Sequence, residues 1–381
     1  MLTPKSARLL MLVLLSGSLL AACGGAPAAP APTTPPAPAT SLPPTAAPTA
    51  APTAAPTAAP TAAPTAAPAA TATPEPVAPT GAPGLARGSV RKRPLVVMID
   101  NHPDAYPQSG MGQAALVFEA LAEFGVTRFM AVFEPGVTPE VAKIGPVRST
   151  RLYFAQWAMG LHALYAHAGG SPQGLELVES TDQLVNLDAL HSGGSQYFAR
   201  SDDRDAPHNL YTSSAWLEQA AANQGVSDLN DPAIGFVFKP DAAESLRPRQ
   251  QQLNYFFIYQ EDDAGWTYDR ATNGYLRLRR GQPARDAETG KQLWTKNVVV
   301  MEVQEAKIPD DPKGRIEQAV VGEGRARVFA DGVEREVRWR KDAPAGQLGF
   351  FDTDGSEVRF NSGPAWIAVL PALDNLTVTG T

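Results

Sequence analysis

The fold is decided by two polar, glycine-marked segments: Gly145-Pro146-Val147-Arg148-Ser149-Thr150-Arg151 and Ala163-Leu164-Tyr165-Ala166-His167-Ala168-Gly169-Gly170-Ser171-Pro172. Each lies where a buried-strand pattern gives way to a helical one. Two arginines one helical turn apart suit phosphate or carboxylate, and backbone N–H groups at the start of a helix attract anions. Because ligands of open α/β sheets collect at the carboxyl ends of strands, both segments predict an anion site there.

The residues around these segments alternate between apolar strands and helices. Strands are predicted at residues 95–99, 128–133 and 164–166, and helices at residues 113–124, 149–160, 172–180 and 213–224. Continuous apolar strands separated by helices indicate a mainly parallel sheet that is covered on both faces. An α/β N-terminal domain is therefore predicted for residues 89–240.

The second half of the chain has a different character, because β-branched and aromatic runs replace the helical signals. Strands are predicted at residues 254–259, 266–269, 275–278, 298–303, 337–339 and 366–370. The dipeptides Asn273-Gly274, Asp331-Gly332 and Asp354-Gly355 have the residues that tight hairpin turns require. A smaller antiparallel all-β domain is therefore predicted for residues 253–381.

The first 88 residues carry targeting and linker signals. Lys5 and Arg8 precede a short apolar run that ends in Leu20-Ala21-Ala22-Cys23. This pattern predicts a lipoprotein signal peptide over residues 1–23, with Cys23 acylated, by palmitate for example; a secretory signal with an incidental cysteine is the alternative. Residues 24–88 are dominated by Pro, Ala and Thr and predict a disordered, extended tether.

Charge and motifs exclude several classes of function. The net charge is −7, which argues against a nucleic-acid partner. The sequence has no Gly-x-Ser-x-Gly, His-Glu-x-x-His, Cys-x-x-Cys or P-loop motif, so it indicates no familiar catalytic class and leaves open whether the protein is an enzyme. His102, His167, His208 and Asp100 lack a familiar zinc-ligand spacing, and neither a metal nor a cofactor is predicted.

Polar residues at the predicted strand ends and in residues 198–211 define the candidate site. The ligand-binding residues predicted are Asp100, Asn101, His102, Arg128, Arg148, Ser149, Arg151, His167, Gly169, Gly170, Ser171, Arg200, Arg204, His208 and Asn209. Asp100, His167 and His208 are also the candidates for catalysis, because carboxylates and imidazoles transfer protons.

A purely structural interpretation competes with this site. Arg148 and Arg151 can instead pair with Asp100, Glu119 or Glu134 in a buried network, and Gly169-Gly170 can form only a tight turn. The polar segment around residues 200–209 is either a solvated loop or a loop that closes over the edge of the sheet.

Six motifs occur in order and resemble those of the YerB family of bacterial lipoproteins. They are Met98-Ile99-Asp100-Asn101-His102-Pro103, Pro107-Gln108-Ser109-Gly110, Thr127-Arg128-Phe129, Ile144-Gly145-Pro146-Val147-Arg148-Ser149-Thr150-Arg151, His167-Ala168-Gly169-Gly170-Ser171-Pro172 and Ala206-Pro207-His208-Asn209-Leu210-Tyr211. The resemblance covers nearly all of the folded part. It implies paired N- and C-terminal domains of unknown function, numbered 3048, and a lipid-anchored protein on the extracytoplasmic face of the cell membrane. It implies no activity.

Three hypotheses of function remain. The first is a binding module for an anionic envelope ligand, such as a cell-wall glycan or a phosphate-bearing polymer. The second is an envelope enzyme, a phosphoester transferase or hydrolase that acts on such a polymer. The third is a scaffold that docks an envelope protein. In each case the membrane is a partner through the lipid anchor on Cys23.

Overall fold

The computed structural model describes residues 84–191, 193–229, 231–260 and 263–380. The predicted signal peptide, Cys23 and the predicted tether up to residue 83 lie outside these residues. Within the described part of the chain, no helix is long and apolar enough to cross a membrane.

The helices and strands are as follows. The α-helices are α1 (Leu152–Gly160), α2 (Pro172–Ser180) and α3 (Ser214–Asn223). The strands are β1 (Leu95–Asp100), β2 (Leu116–Glu123), β3 (Val126–Phe133), β4 (Leu164–His167), β5 (Val185–Asp188), β6 (Ala199–Arg200), β7 (Leu210–Tyr211), β8 (Phe238–Lys239), β9 (Gln252–Tyr255), β10 (Ala264–Asp269), β11 (Gly274–Arg279), β12 (Gln282–Pro283), β13 (Trp294–Thr295), β14 (Asn297–Glu302), β15 (Glu305–Lys307), β16 (Ile316–Gln318), β17 (Gly322–Ala330), β18 (Val333–Lys341), β19 (Gly349–Phe351), β20 (Phe360–Asn361), β21 (Ala365–Leu370) and β22 (Leu376–Thr379). Short 3-10 turns occur at Pro103–Ala105, Met111–Gln113, Ser195–Tyr197, Glu244–Leu246 and Leu373–Asn375.

A ten-stranded mixed sheet dominates the fold, in the order β19-β18-β17-β14-β21-β2-β3-β1-β4-β5. Parallel pairs join β1 with β4, β4 with β5, β2 with β21 and β14 with β21, and the other neighbours are antiparallel. The expectation of a mainly parallel sheet is therefore wrong in detail. The reason is a hairpin between β2 and β3 at Phe124 and Gly125, both of which have positive φ.

The helix predicted at residues 113–124 is instead the strand β2. Its apolar residues, among them Val117, Phe118 and Leu121, are spaced as on a helix, but β2 is buried on both faces. A strand buried on both faces can be apolar at every position, so periodicity cannot distinguish it from a buried helix.

The ten-stranded sheet also crosses the boundary predicted between residues 240 and 253. β14, β17, β18, β19 and β21 come from the second half, and β21 lies parallel to both β14 and β2. Residues 366–370 were predicted to belong to an antiparallel meander. They instead form a central strand of the large sheet. The second half also forms a separate antiparallel sheet of six strands, β12-β11-β10-β9-β22, with β13 also paired to β11.

The large sheet has an apolar core on each face. On one face Ile99 and Phe129 cluster with Trp266 and other side chains of the six-stranded sheet. On the other face Phe118 packs against Trp157 of α1, with ring centroids 4.8 Å apart. Successive side chains of a strand point to opposite faces of the sheet. The polar residues near the strand ends therefore fall into two groups, one on each face of the large sheet.

Locally encoded elements agree with the sequence predictions. α2 has the predicted bounds, and Ser171 caps it by accepting a hydrogen bond from Gly174 N at 3.2 Å. α1 and α3 lie within the ranges predicted for them. Turns occur at Asn273-Gly274, Asp331-Gly332 and Asp354-Gly355, where Asn273, Asp331 and Gly355 have positive φ.

Candidate functional site

The site begins where β1 and β4 separate. These strands pair only over residues 95–97 and 164–166. Beyond that point the segment around Arg148 lies between them: Arg148 N donates to the carbonyl of Met98 at 2.9 Å, and Ala168 N donates to the carbonyl of Arg148 at 3.1 Å. The opening between the carboxyl ends of two parallel strands is thus filled by the first polar segment of the sequence analysis.

Asp100, the last residue of β1, lies at the centre of the site and is 2% exposed. One carboxylate oxygen accepts a hydrogen bond from His102 N at 3.0 Å. The other lies 2.8 Å from His208 Nδ1 and 3.0 Å from Arg148 Nε. The Asp100 carboxylate therefore fixes an imidazole and a guanidinium side by side.

The Arg148 guanidinium is only partly committed to Asp100. Its Nε is close to the carboxylate, but none of its N–H groups forms an aligned hydrogen bond with the described residues. The side chain is 25% exposed. Burial lowers the pKa of Arg148, and repulsion from Arg128 lowers it further, against the opposing effects of Asp100 and Glu123. Arg148 is thus a cation with unused donors.

Glu123, which the sequence analysis did not select, neutralises the other two arginines. It accepts hydrogen bonds from both Arg128 and Arg151, the latter from Nε at 3.1 Å. A β-bulge between Leu121 and Glu123 makes this possible, because strict alternation would place Glu123 on the face of Leu121. Burial tends to raise the pKa of Glu123, but the two guanidinium groups outweigh it and lower that pKa.

The arginines therefore have different surroundings. Arg128 and Arg151 are buried and paired with Glu123, and Arg148 is paired with Asp100, one of the partners that the structural interpretation offered. Glu119 pairs elsewhere, with Arg277. The guanidinium groups of these three arginines face only two carboxylates, those of Glu123 and Asp100. One positive charge is therefore uncompensated, and Arg148 is the most exposed of the three arginines. Ser149 is half-buried, and its carbonyl accepts a bond from Arg128 Nη1 at 3.4 Å.

The glycine turn after β4 is occupied by contacts within the protein. Gly169 N donates to Asp188 Oδ1 at 2.9 Å, and Ser171 N donates to the Thr150 carbonyl at 3.2 Å. A Cβ on Gly170 would lie 2.6 Å from the Thr150 side chain, so this glycine permits close packing. These contacts support the tight-turn interpretation of Gly169-Gly170 over the prediction of free N–H groups.

His167 is fully buried beneath this turn. Its Nδ1 lies 2.9 Å from the Gly169 carbonyl, and its Nε2 lies 2.8 Å from Asn186 Oδ1. Burial lowers the pKa of His167, which favours the neutral ring. A buried imidazole with both nitrogens engaged orients the turn, and nothing in its contacts leaves a nitrogen for proton transfer to a ligand.

Acidification should destabilise the protein through His167. Because its pKa in the folded state lies below the ordinary value of 6.5, the unfolded state binds more protons below that pH and becomes favoured. The slope contributed approaches ~1.4 kcal/mol per pH unit for one proton. Urea unfolding across this range should show a shallower pH dependence for His167→Gln than for the exposed control His191→Gln. Equal slopes would contradict the assignment.

Residues 199–211 form a hairpin whose loop is held at the end of β1. Asn209 Nδ2 donates to the carbonyls of Ser201 and Arg204 at 3.0 and 3.1 Å, and Arg200 Nη1 donates to Asn209 Oδ1 at 2.6 Å. Arg204 donates to the carbonyl of Ala105 at 2.6 Å. Asn209 and Arg204 thus position the loop, and His208 is the member of the loop that reaches Asp100.

Two neighbours of Asp100 lie in different surroundings. Asn101 Nδ2 donates to Thr127 Oγ1 at 2.5 Å, and Asn101 Oδ1 accepts from Gln108 Nε2 at 3.1 Å. The ring of His102 stacks on that of His208, with centroids 4.6 Å apart and planes 18° apart. Among the described residues, His102, Asp104 and His208 are a group whose side chains are close enough to share a metal ion.

A cavity of about 120 Å³ lies beside Asn101 and is lined on the other side by the six-stranded sheet. Its lining includes Glu119 and Arg277, a buried ion pair that the sequence analysis missed. No sequence signal identified the pair, because its members are far apart in the chain. Glu123 had one usable signal, the Phe124-Gly125 turn directly after it.

Comparison with known proteins places the chain in a family. Residues 79–227 match the family described as "Protein of unknown function (DUF3048) N-terminal domain", and residues 254–367 match its C-terminal domain. A Bacillus subtilis (strain 168) protein named "Putative lipoprotein YerB" is 31% identical over 298 residues, covering 76% of this chain and 84% of the relative. The chain belongs to the DUF3048 family.

A solved structure has the same fold. The crystal structure of YerB protein from Bacillus subtilis matches with a TM-score of 0.66 and 28% identity, covering 76% of this chain and 94% of that one. This confirms the predicted resemblance. No activity comes with the DUF3048 family, whose description is of unknown function.

Proposed function

We propose that this protein binds an anionic group of a cell-envelope ligand at Arg148, most simply a phosphate of a wall polymer. The observation that carries the proposal is a half-buried guanidinium with unaligned N–H groups at the carboxyl end of β1. With Nε turned to Asp100, the terminal nitrogens are free to donate to an anion. Such charge-assisted hydrogen bonds are the strong ones that arginine makes with phosphate.

The local electrostatics favour an anion. Arg128 and burial both penalise the charged form of Arg148, and a bound phosphate would relieve both effects. Glu123 and Asp100 compensate two of the three guanidinium groups and leave one charge for the ligand. The lipoprotein name of the relative supports a membrane-anchored protein, with acylated Cys23 and the tether holding this site on the extracytoplasmic side.

Replacing Arg148 with alanine should weaken the binding of inorganic phosphate, and of a phosphate-bearing wall polymer, by about 10- to 100-fold. This corresponds to the roughly 1.5–3 kcal/mol of a hydrogen bond to a charged group. The measurement is isothermal titration calorimetry at low and high salt, since salt should weaken the interaction. Arg338→Ala is the matched control, because it removes a surface guanidinium on β18 that pairs with Glu323. Equal affinities for the two variants would refute the site.

One observation favours an enzyme as the second candidate. The buried Asp100 carboxylate orients His208 at 2.8 Å, an arrangement that suits an imidazole for general-base catalysis. A transferase or hydrolase would release product from a phosphoester polymer, and His208→Gln would abolish that release while Arg148→Ala would weaken substrate binding. A binding module would show saturable binding with no turnover in the same incubation.

A further inference from the structure

A second group of polar side chains lies beside Asp100 on the solvent side. His102, Asp104 and His208 each place one metal-ligand atom within 4.8 Å of the others. The group unites a 3-10 turn after β1 with the loop between β6 and β7. The fold alone brings it together, which is why ligand spacing in the sequence gave no reason to predict a metal.

Asp100 prepares His208 to bind a metal ion. His208 Nδ1 lies 2.8 Å from a carboxylate oxygen of Asp100, and only 14% of the His208 side chain is exposed. A carboxylate at one ring nitrogen holds the proton there and leaves a lone pair on the other. Imidazoles that bind metals almost always have such a carboxylate or carbonyl behind them. Nε2 of His208 is therefore the nitrogen available for an ion.

His102 and Asp104 are prepared by the turn that joins them. Asp104 N donates to His102 Nδ1 at 3.3 Å, so this nitrogen acts as an acceptor in the turn, and a metal ion would take the place of that N–H. Asp104 Oδ2 lies 3.4 Å from the same nitrogen. Two ligands of a tetrahedral zinc ion are about 3.4 Å apart when the bonds are roughly 2.0–2.1 Å long. This pair of atoms is already spaced to share an ion.

We propose that His102 Nδ1, Asp104 Oδ2 and His208 Nε2 bind one divalent transition-metal ion, with Asp100 as the residue that orients His208. Two imidazoles and one carboxylate suit Zn²⁺ better than Mg²⁺ or Ca²⁺, which prefer oxygen ligands. Three protein ligands leave a further position for water or a ligand atom. The His102 ring stacks on that of His208 with planes 18° apart, so it must rotate before both lone pairs meet at one ion, and the exposure of the His102 and Asp104 side chains permits this rotation.

The proposal does not depend on anion binding at Arg148, and its test uses the metal alone. Full-length protein stripped of metal with a chelator is titrated with Zn²⁺ by calorimetry, and with Co²⁺ while visible absorption is recorded. One ion per chain and the absorption of tetrahedral Co²⁺ are expected. His102→Gln and Asp104→Asn should each weaken Zn²⁺ binding by at least tenfold. Both residues are surface-exposed, so these variants should fold normally.

Two further variants separate a built site from surface histidine chemistry. His191 also pairs with an aspartate, with Nδ1 2.9 Å from Asp188 Oδ2, but within the described part of the chain no histidine ring stacks on it as His102 does on His208. His191→Gln should leave the affinity unchanged, whereas Asp100→Asn should weaken it by about 10- to 100-fold through the orientation of His208. Among the described residues the side chains of His102 and Asp104 do not bond to Arg148, so phosphate affinity retained in His102→Gln and Asp104→Asn would distinguish loss of metal binding from loss of anion binding.

The proposal is overturned by any of three results. They are the absence of saturable Zn²⁺ binding, unchanged affinity in both His102→Gln and Asp104→Asn, or a loss of affinity in His191→Gln that equals theirs. The last result would identify the binding as adventitious surface coordination.

Discussion

Replacing Arg277 with alanine should destabilise the protein by about 3–5 kcal/mol, the cost of removing one partner from a buried ion pair. Arg277 Nη2 donates to both oxygens of Glu119, at 2.8 and 2.7 Å, and both side chains are almost fully buried. Without Arg277 the Glu119 carboxylate would stay in the core without a cation. Urea unfolding of the variant and the wild type measures the difference.

The surroundings of this pair explain why its loss cannot be relieved locally. Glu119 also accepts hydrogen bonds from Trp366 Nε1 at 3.0 Å and from Tyr255 Oη at 3.1 Å. The Arg277 guanidinium lies 5.0 Å from the ring centre of Trp266 and 4.8 Å from that of Trp366. The remaining donors to Glu119 among the described residues, Trp366 and Tyr255, are neutral and cannot replace the charge of the guanidinium. The pair also joins β2 of the large sheet to β11 of the six-stranded sheet.

Two controls test the cause of the destabilisation. Arg325→Ala breaks an exposed pair with Glu302 and should cost less than about 1 kcal/mol. The double variant Arg277→Met, Glu119→Leu removes both charges and should recover part of the loss, because the unpaired charge is gone while Trp366 Nε1 and Tyr255 Oη lose their acceptor. If the double variant is no more stable than Arg277→Ala, packing and not the unpaired carboxylate is responsible.

The position of Arg277 shows what strand periodicity cannot reveal. β11 contains Gly-Tyr-Leu-Arg-Leu-Arg, so alternation puts Leu276 and Leu278 on one face and Arg277 on the other. Hydrophobicity alone favours the leucines for the core, yet Arg277 is the buried residue. The face of β11 that is buried is the one that carries Arg277, because Arg277 pairs with Glu119. Glu119 lies far away in the chain, on a strand whose sequence resembles a helix. Local sequence carries no information about such a partner.

Elements whose signals lie within their own sequence were predictable, because they do not depend on a distant partner. α2 has its own cap at Ser171 and a first-turn proline at Pro172, and the hairpin turns have Asn-Gly or Asp-Gly. β21 has no such local signal for its neighbours, because its pairing with β2 joins residues from opposite ends of the folded part. Hydrophobic periodicity therefore could not predict the mixed parallel and antiparallel order of the large sheet.

The candidate site was predictable in part. The sequence placed Asp100, Arg148 and His208 near a strand end, and the fold brings these three together. It also offered the Arg148–Asp100 pair as a structural alternative. It did not separate Arg148 from Arg151, because the partner of Arg151 is Glu123, which was assigned to a helix. Nothing in the sequence around Gly169 indicated that Asp188 would accept the hydrogen bond of the Gly169 N–H group.

Replacing Asp331 with alanine should cost about 3 kcal/mol, because several buried donors would lose their acceptor and a left-handed backbone would gain a Cβ-bearing residue that disfavours it. Asp331 accepts hydrogen bonds from Lys239 Nζ at 2.5 Å, from Asn273 Nδ2 and Asn361 Nδ2 at 2.7 Å each, and from Ala242 N at 3.0 Å. Its φ is +56°. Urea unfolding at neutral pH measures the loss.

Asp354→Ala is the matched control at another Asp-Gly turn. Asp354 is exposed and accepts a local hydrogen bond from Ser356 N at 2.8 Å, so its replacement should cost less than about 1 kcal/mol. Asp331→Asn keeps a residue that tolerates positive φ and keeps one acceptor oxygen, but it removes the charge and replaces the other oxygen, which accepts from Lys239, by an NH2 group. It should therefore be more stable than Asp331→Ala. Equal stability of Asp331→Ala and Asp354→Ala would show that the network contributes nothing.

The pH dependence separates the charge of Asp331 from its turn geometry. Burial tends to raise the pKa of Asp331, but the bonds from Lys239, Asn273, Ala242 and Asn361 outweigh it and lower that pKa to about 2. The folded state thus holds the proton less tightly than the unfolded state, whose pKa is near 3.8. The stabilisation is present above pH 3.8 and is lost as pH falls toward 2. Asp331→Asn lacks this titration, so its stability relative to wild type should improve on acidification, whereas a constant difference would assign the effect to the turn.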